Sequence, residues 1–235
     1  MKSTTLEKLV ERDDLRERMR IFADRTDAGQ ALAEMLRDDD LCNGVVLAVP
    51  AGGIAVATAV AEVCCLELEV AVVSKITLPW NAEAGYGAVA FDGTVVLNED
   101  LLRHAGMGEA EVKRGIEDTH RKVARRRKAL CGDRPMPDLS GTTAILVDDG
   151  LASGFTMRCA LQTLAARSVS RSIVAVPTAH EESLDRIADL ADVIYCPNVR
   201  SGAPFAVADA YAQWCDVSEE EASRLLADHL AGEGP

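Results

Sequence analysis

Aromatic residues are scarce in this chain: four Phe, three Tyr and two Trp among 235 residues. Its core must therefore be assembled from Val, Leu, Ile and Ala, a composition that favours helices packed on a sheet. Long apolar runs are missing too. No stretch approaches the roughly 20 uninterrupted apolar residues that cross a bilayer, and the opening MKSTTLEKLVERDD lacks the apolar run of a secretory signal. A cytoplasmic protein without a membrane partner is expected. Seven cysteines are present (Cys42, Cys64, Cys65, Cys131, Cys159, Cys196 and Cys215), but no C-x-x-C pair, so a zinc site is not expected. Their odd number and scattered spacing argue against a disulfide framework. Most lie in apolar surroundings and read as buried structural thiols, with Cys64–Cys65 at a helix end. Positive charge is in deficit: 25 Lys and Arg against 38 Asp and Glu give a net charge of −13. Such a surface repels nucleic acid and anionic membranes. The basic run Arg121–Lys128 follows Glu109, Glu111, Glu117 and Asp118 in a helical pattern, so it reads as a solvated helix face rather than a nucleic-acid patch. Neither the Walker pattern nor G-x-G-x-x-G occurs.

What is present is an alternation of buried strands and helices. Continuous apolar runs at Val45–Val49, Leu68–Val73, Thr143–Val147, Ser172–Val176 and Val193–Cys196 predict strands buried on both faces. Helices are expected over 5–20, 27–37, 54–64, 109–130, 156–166, 181–190 and 218–230, with capping boxes at Thr4/Glu7 and Ser218/Glu221. Residues 74–87 are expected to be irregular, Tyr86–Phe91 and Thr94–Leu97 to form a hairpin, and 131–140 a linker. Right-handed crossovers then give a parallel sheet, with ligands beyond the carboxyl ends of its strands. The loops 50–53, 74–87 and 148–156 should converge there.

The last loop carries the most chemistry. A buried strand ends in two carboxylates, Asp148 and Asp149, and a run of small residues leads into a helix at Thr156. Small residues admit close backbone approach. Amides of Ala152–Thr156 at a helix N-terminus favour an anion, and Ser153 and Thr156 add hydroxyls. The acids suit sugar hydroxyls or Mg²⁺. Phosphate at one end and a diol at the other describe a ribose 5-phosphate. The competing reading makes Asp148–Gly150 a plain turn and Ser153 or Thr156 an N-cap.

Ala144–Thr156 (AILVDDGLASGFT) resembles the phosphoribosyl pyrophosphate (PRPP) motif of the type I phosphoribosyltransferases: four apolar residues, two acids, spacers, then a small-residue loop ending in Ser or Thr. It departs at Gly150, where most members carry an aliphatic residue. Four further stretches resemble one bacterial and archaeal branch of that family whose substrate is unassigned: RTDAGQALAEML at 25–36, VLAVPAGGIAVA at 46–57, VSKITLPWNAEAGYGAVAFDG at 73–93 and PFAVADAYAQW at 204–214. The likeness covers most of residues 25–225.

The resemblance implies a parallel-sheet α/β fold with helices on both faces, a flexible lid or hairpin, and a small hood from the terminal segments. One domain would span 1–235, with N-terminal helices (1–40) and a C-terminal hood (197–235) as accessories. It further implies Mg²⁺-dependent transfer of ribose 5-phosphate from PRPP to a nitrogenous base or other nitrogen acceptor, with pyrophosphate released. Asp148 and Asp149 would hold the ribose hydroxyls, directly or through Mg²⁺. Ala152, Ser153, Gly154, Phe155 and Thr156 would cradle the 5-phosphate, with Gly150 and Leu151 also in the substrate-binding loop. Pro50–Gly53, with Ala51, Gly52 and Gly53, would face the pyrophosphate, Lys75 would pair with it, and residues 76–90 would form the lid around Trp80 and Tyr86. Ala51 stands where many relatives carry a basic residue, and Ala152 where hypoxanthine–guanine enzymes carry a catalytic Asp, which disfavours a 6-oxopurine acceptor. Lys75 reads equally as a strand-end residue pointing to water. Phe205, Tyr211 and Trp214 suit base stacking or, for the last two especially, core anchors of the hood, and His180 has no assigned role. A non-catalytic PRPP- or nucleotide-binding regulator is the alternative function. A homodimer or larger assembly is expected because the hairpin and N-terminal helices have no obvious cover within one chain.

Overall fold

A computed structural model describes residues 1–232 of the protein; the last three residues of the expected 1–235 domain lie outside the described residues. The chain opens with α1 (Ser3–Lys8) and the two-residue strand β1 (Leu9–Val10). The single helix expected over 5–20 does not form. Leu9 and Val10 pair instead with Ile194 and Tyr195 at the edge of the main sheet, and Glu17 and Arg20 take φ of 59° and 53°, outside helical geometry. Lys2 stands at the N-cap without a side-chain bond, so the Thr4/Glu7 box is absent as well.

Next come α2 (Arg25–Leu36), capped by the Asp24 carboxylate, β2 (Gly44–Ala48), α3 (Gly53–Cys64) and β3 (Glu67–Val70). Cys65 closes α3 in the left-handed conformation, the helix end expected of the cysteine pair. Residues 74–87 are regular rather than irregular. β4 (Val73–Leu78) and β5 (Asn81–Ala90) pair antiparallel, and β6 (Val95–Leu97) adds to β5. Pro79 falls between β4 and β5, where its missing N–H costs no ladder bond, so it does not break the strands. The chain continues through α4 (Glu99–Ala105), α5 (Glu109–Cys131), β7 (Thr143–Val147), α6 (Phe155–Ala165), β8 (Arg171–Ala175), β9 (Thr178–His180), α7 (Glu181–Ile187), β10 (Val193–Tyr195), β11 (Asn198–Arg200) and α8 (Glu219–Gly232). Ser218 Oγ accepts from the Glu221 amide at 3.1 Å, one half of the expected box.

Six strands form one wholly parallel sheet in the order β1-β10-β8-β7-β2-β3. Both faces are covered. Leu146 of β7 belongs to one apolar core, with Met157 and Leu161 of α6, while Ile145 and Val147 belong to the other, with Val56 and Val60 of α3. That two-sided burial is why the strand reads as an unbroken apolar run. From the central pair β2–β7 the chain runs outward in opposite directions, making a switch point where loops part and a crevice opens. Past the sheet, β8 and β10 continue as β9 and β11 beyond Pro177 and Pro197, whose rings deny the ladder an N–H. This small parallel pair is the base of the hood, and the sequence patterning missed it.

The three-stranded hairpin sheet is covered within the chain. Ile76, Tyr86 and Val89 share a core with Val123 of α5, and Ala88 and Ala90 with Met157 of α6. The hairpin therefore needs no partner copy to cover it, whereas Leu6 and Met19 near the N-terminus stay exposed. Tyr86 is core, while Trp80 at the tip is 62% exposed. Only Cys159 and Cys196 are fully buried, and Cys42, Cys65 and Cys215 are exposed, so the expectation of buried thiols holds for a minority. Burial pushes the Cys159 thiol up to about 12. Arg121–Lys128 is a helix face, with Val123 buried beneath it and Arg126 paired to Glu219 at 3.0 Å. Among the described residues, no helix is long and apolar enough to cross a membrane.

Candidate functional site

The site is built at the switch point. Asp148 and Asp149 follow β7 directly, and the loop Pro50–Gly52 follows β2 beside them. The two loops touch. A Cβ at Gly52 would fall 1.9 Å from Asp149 Oδ2, and one at Gly53 would fall 2.9 Å from Asp148 Cα. Any larger residue at 52 would displace the acid, so this glycine is needed by the protein itself and not only by a ligand. A cis peptide joins Pro50 to the half-buried Ala51.

Asp148 turns back, its Oδ1 accepting from the Asp149 amide at 2.8 Å. Burial raises its pKa well above the ordinary carboxylate range, and the neighbouring Asp149 charge adds to that. Burial raises Asp149 too, opposed by Arg25. Arg25 Nε donates to Asp149 Oδ2 at 2.8 Å and Nη1 to the Cys215 carbonyl at 2.9 Å. The guanidinium lies 3.9 Å from the centre of the Trp214 ring, and Arg25 is 8% exposed. Tyr211, 3% exposed, donates its hydroxyl to the Asp149 carbonyl at 2.6 Å. Backbone bonds from Ala212 to Phe22 (2.7 Å) and from Gln213 to Ala23 (2.9 Å) fasten this C-terminal strap to the entry of α2. Sequence reasoning missed Arg25. A signal was available: a cation in the first turn of a helix opposes the helix dipole, so Arg25 needs a partner outside its own helix.

The loop from Leu151 to Gly154 is held from behind. The Leu151 amide donates to Thr178, and the His180 amide to Leu151, at 2.9 and 3.0 Å. Ser183 Oγ donates to the Ala152 carbonyl, and Arg186 to the Ser153 carbonyl while lying 5.0 Å from the Phe155 ring centre. In a trans peptide the N–H points opposite the C=O, so the amides of Ser153 and Gly154 face away from α7. Gly154, at φ 77°, is the N-cap of α6 and makes no side-chain cap bond. The reading of Ser153 or Thr156 as the cap is thus corrected. Both hydroxyls remain beside first-turn amides that no helical carbonyl satisfies. Ala152 and Ser153 are exposed, Phe155 and Thr156 half-buried. The departure at Gly150 also has a cause: a Cβ there would lie 2.4 Å from Val207 Cγ1 and 3.1 Å from Thr178 Cγ2. Val207 fills the space an aliphatic residue would occupy.

Of the other candidates, Lys75 is half-buried on β4 of the hairpin sheet, its stem so close to Gly85 that a Cβ there would lie 2.4 Å from Lys75 Cγ. Its charge acts on Lys122, whose ammonium is lowered by burial and then by Arg126 and Lys75. His180 Nδ1 caps α7 by accepting from the Glu182 amide at 3.3 Å, and its ring meets Phe205 edge-on at 5.5 Å. Tyr211 is the expected core anchor, whereas Trp214 is 37% exposed and stacks on Arg25. Among the described residues no group of three or more His, Cys, Asp or Glu is arranged to hold a metal ion. A hard cation at the acid pair would draw most of its oxygen ligands from substrate and water.

The arrangement is a Gly154-capped helix N-terminus beside a buried carboxylate pair that one guanidinium contacts. The sequence model of the phosphoribosyl transferase domain matches residues 92–210, just over half the chain. The chain belongs to the phosphoribosyl transferase family. Two strains of Mycobacterium tuberculosis hold a relative named "Putative phosphoribosyl transferase", 35% identical over 213 residues, which take in 88% of this chain and 47% of the relative. The chain thus spans about half the length of the curated relatives it matches. The crystal structure of TT1426 from Thermus thermophilus is 33% identical, covers 89% of this phosphoribosyl transferase chain and 99% of its own, and superposes with a TM-score of 0.72. The family match includes the acid pair, the phosphate-type loop and Val207, while Arg25 and the loop at 50–53 lie ahead of it.

Proposed function

We propose that this protein is a PRPP-dependent phosphoribosyltransferase acting on a small nitrogenous base or other nitrogen acceptor. The observation that carries the reading is the meeting of Asp148–Asp149 with the Gly154-capped loop at one switch point. On this reading the amides of Ala152–Thr156 bind the 5-phosphate, and the acid pair accepts hydrogen bonds from the ribose diol. The backbone of Ala51, Gly52 and Gly53 faces the pyrophosphate, and Lys75 adds charge from the hairpin. Asp148 and Asp149 also fit Mg²⁺, since they are hard oxygen donors whose burial and proximity make a cation favourable. When bound, Mg²⁺ would neutralise phosphoryl oxygens of the leaving group.

The acceptor nitrogen's lone pair forms the bond to C1 as the C1–O bond breaks. The electron pair leaves with pyrophosphate, and the acceptor's proton passes to water. Chain residues contribute by holding the ribose in line and by meeting the charge that grows on the leaving oxygen. Water must be kept from C1, a role for the hairpin around 76–90.

Calorimetric titration with Mg²⁺–PRPP, followed by a pyrophosphate-release screen over bases, tests the reading. Binding with base-dependent release is expected, and Asp149→Asn should weaken PRPP roughly 10- to 100-fold, the worth of hydrogen bonds to a charged group, while the protein stays folded. Unchanged affinity in a folded variant would refute the site assignment. Binding without release from any acceptor would favour the regulator. The same reading keeps a cytoplasmic protein that acts as one domain and self-associates. Light scattering checks the assembly, and a monomer would overturn that part.

A further inference from the structure

The loop Pro50–Gly53 brings no cation to the leaving-group side of the crevice: it offers amides and an alanine methyl. Arg25 reaches that side from α2. One oxygen, Asp149 Oδ2, lies 2.8 Å from Arg25 Nε and 1.9 Å from the position of a Cβ at Gly52. Arg25 Nε is therefore within about 5 Å of that point with the Asp149 carboxylate between them, so one phosphoryl group reaches both only once that carboxylate has turned to the ribose. A guanidinium carries five N–H donors, and among the described residues Asp149 and Cys215 accept one each. The Trp214 ring, 37% exposed, lies 3.9 Å from the guanidinium carbon and marks the solvent side. A planar donor fork with spare N–H groups is the side chain best matched to phosphoryl oxygens.

We propose that Arg25 is the cation that receives the pyrophosphate of bound PRPP. This rests on the PRPP reading of the site. In the free protein Arg25 rests on Asp149. When the ribose diol donates to Asp149, that carboxylate is satisfied by the substrate, and the guanidinium turns its donors to the phosphoryl oxygens over Gly52. Its charge then meets the negative charge that develops on the leaving oxygen as C1–O breaks. Arg25 supplies from another element the charge that Ala51 does not.

The test compares ligands that share a ribose phosphate and differ in the pyrophosphate. PRPP with Mg²⁺, inorganic pyrophosphate with Mg²⁺, and ribose 5-phosphate are titrated into the full chain, Arg25→Gln and Arg25→Lys. Arg25→Gln should weaken PRPP and pyrophosphate roughly 10- to 100-fold and ribose 5-phosphate less than about threefold, with partial recovery in Arg25→Lys. Trp80→Phe leaves Trp214 as the only tryptophan. In that variant Trp214 emission should shift with pyrophosphate and not with ribose 5-phosphate, a readout that holds even where Arg25→Gln does not fold. Equal weakening of all three ligands would make Arg25 a positioning residue for Asp149 and overturn the proposal, as would unchanged pyrophosphate affinity or a silent Trp214. A wild-type chain that binds ribose 5-phosphate but not pyrophosphate overturns the Arg25 assignment alone, whereas one that binds none of the three overturns the reading of the site beneath it.

Discussion

Replacing Gly150 by alanine puts a methyl where Val207 already stands. The new Cβ would lie 2.4 and 2.7 Å from the two Val207 methyls and 3.1 Å from Thr178 Cγ2. Gly150 is not among the glycines with positive φ, so the backbone accepts alanine and the whole penalty is steric. Overpacking of this kind costs about 1–3 kcal/mol, which in a chain of this size lowers Tm by roughly 2–4 °C per kcal/mol. The atoms in conflict are the ones that Val207→Ala deletes. That single change should cost on the order of 1 kcal/mol, the worth of two methyls in a half-buried place. In its background Gly150→Ala should cost less than about 0.5 kcal/mol, leaving a favourable coupling above about 0.5 kcal/mol. Urea denaturation of the four proteins, followed by tryptophan fluorescence, measures the cycle. Mg²⁺–PRPP titrations on the same samples should show the single Gly150→Ala variant weakened up to about 100-fold, because Asp149 and the loop behind it shift together, and the double variant largely restored. Additive stabilities would refute the claim that Val207 takes the space beside Gly150.

Gly52→Ala should be worse for binding than for folding: the methyl would meet Asp149 Oδ2 at 1.9 Å, so the carboxylate must leave Arg25, and PRPP affinity should fall at least about tenfold at a Tm loss of only a few degrees; wild-type affinity would show that Asp149 is free to move. Tyr211→Phe removes the 2.6 Å bond to the Asp149 carbonyl and should cost about 1–2 kcal/mol by denaturant melting, since the strap then holds the acid by packing alone. Asp39 links Arg171 at 2.5 Å and Tyr195 at 2.8 Å. Burial opposes its ionisation, but those two bonds outweigh it and hold its pKa below the ordinary 3.8. Its contribution is therefore present above pH 3.8 and lost as pH falls through the lower folded value. Asp39→Asn should cost about 1–2 kcal/mol at pH 7, with a Tm deficit that closes below pH 3.8; a deficit constant with pH would rule out ionisation as its source.

The parallel core was legible because burial on both faces writes itself as unbroken apolar runs, as in Thr143–Val147 and Val45–Val49. The break after β7 was legible because two acids and a run of small residues end the apolar strand and lead into α6. Three things were hidden besides the β9–β11 pair. Leu9–Val10 has the composition of its helical surroundings and becomes a strand only because β10 offers an edge. The residues 74–87 look broken, yet Pro79 falls at the one place in the hairpin where it breaks nothing. Arg25 lies 124 residues from Asp149, and no local pattern records a partner that far away. Periodicity reports which face of an element is buried. It does not report which elements a polar side chain will bridge.

The strap from Tyr211 to Cys215 also sets an order in time. During synthesis Arg25 and the acid pair emerge well before Tyr211, Trp214 and Cys215, and chains fold progressively as they appear. Until those late residues arrive, Asp149 lacks its tyrosine bond and Arg25 lacks the ring and carbonyl that orient it. A chain halted after α7 would hold both loops and most of the sheet while its acid pair stayed unfinished. The contacts that hold the acid pair are thus complete only once residues 211–215 have docked.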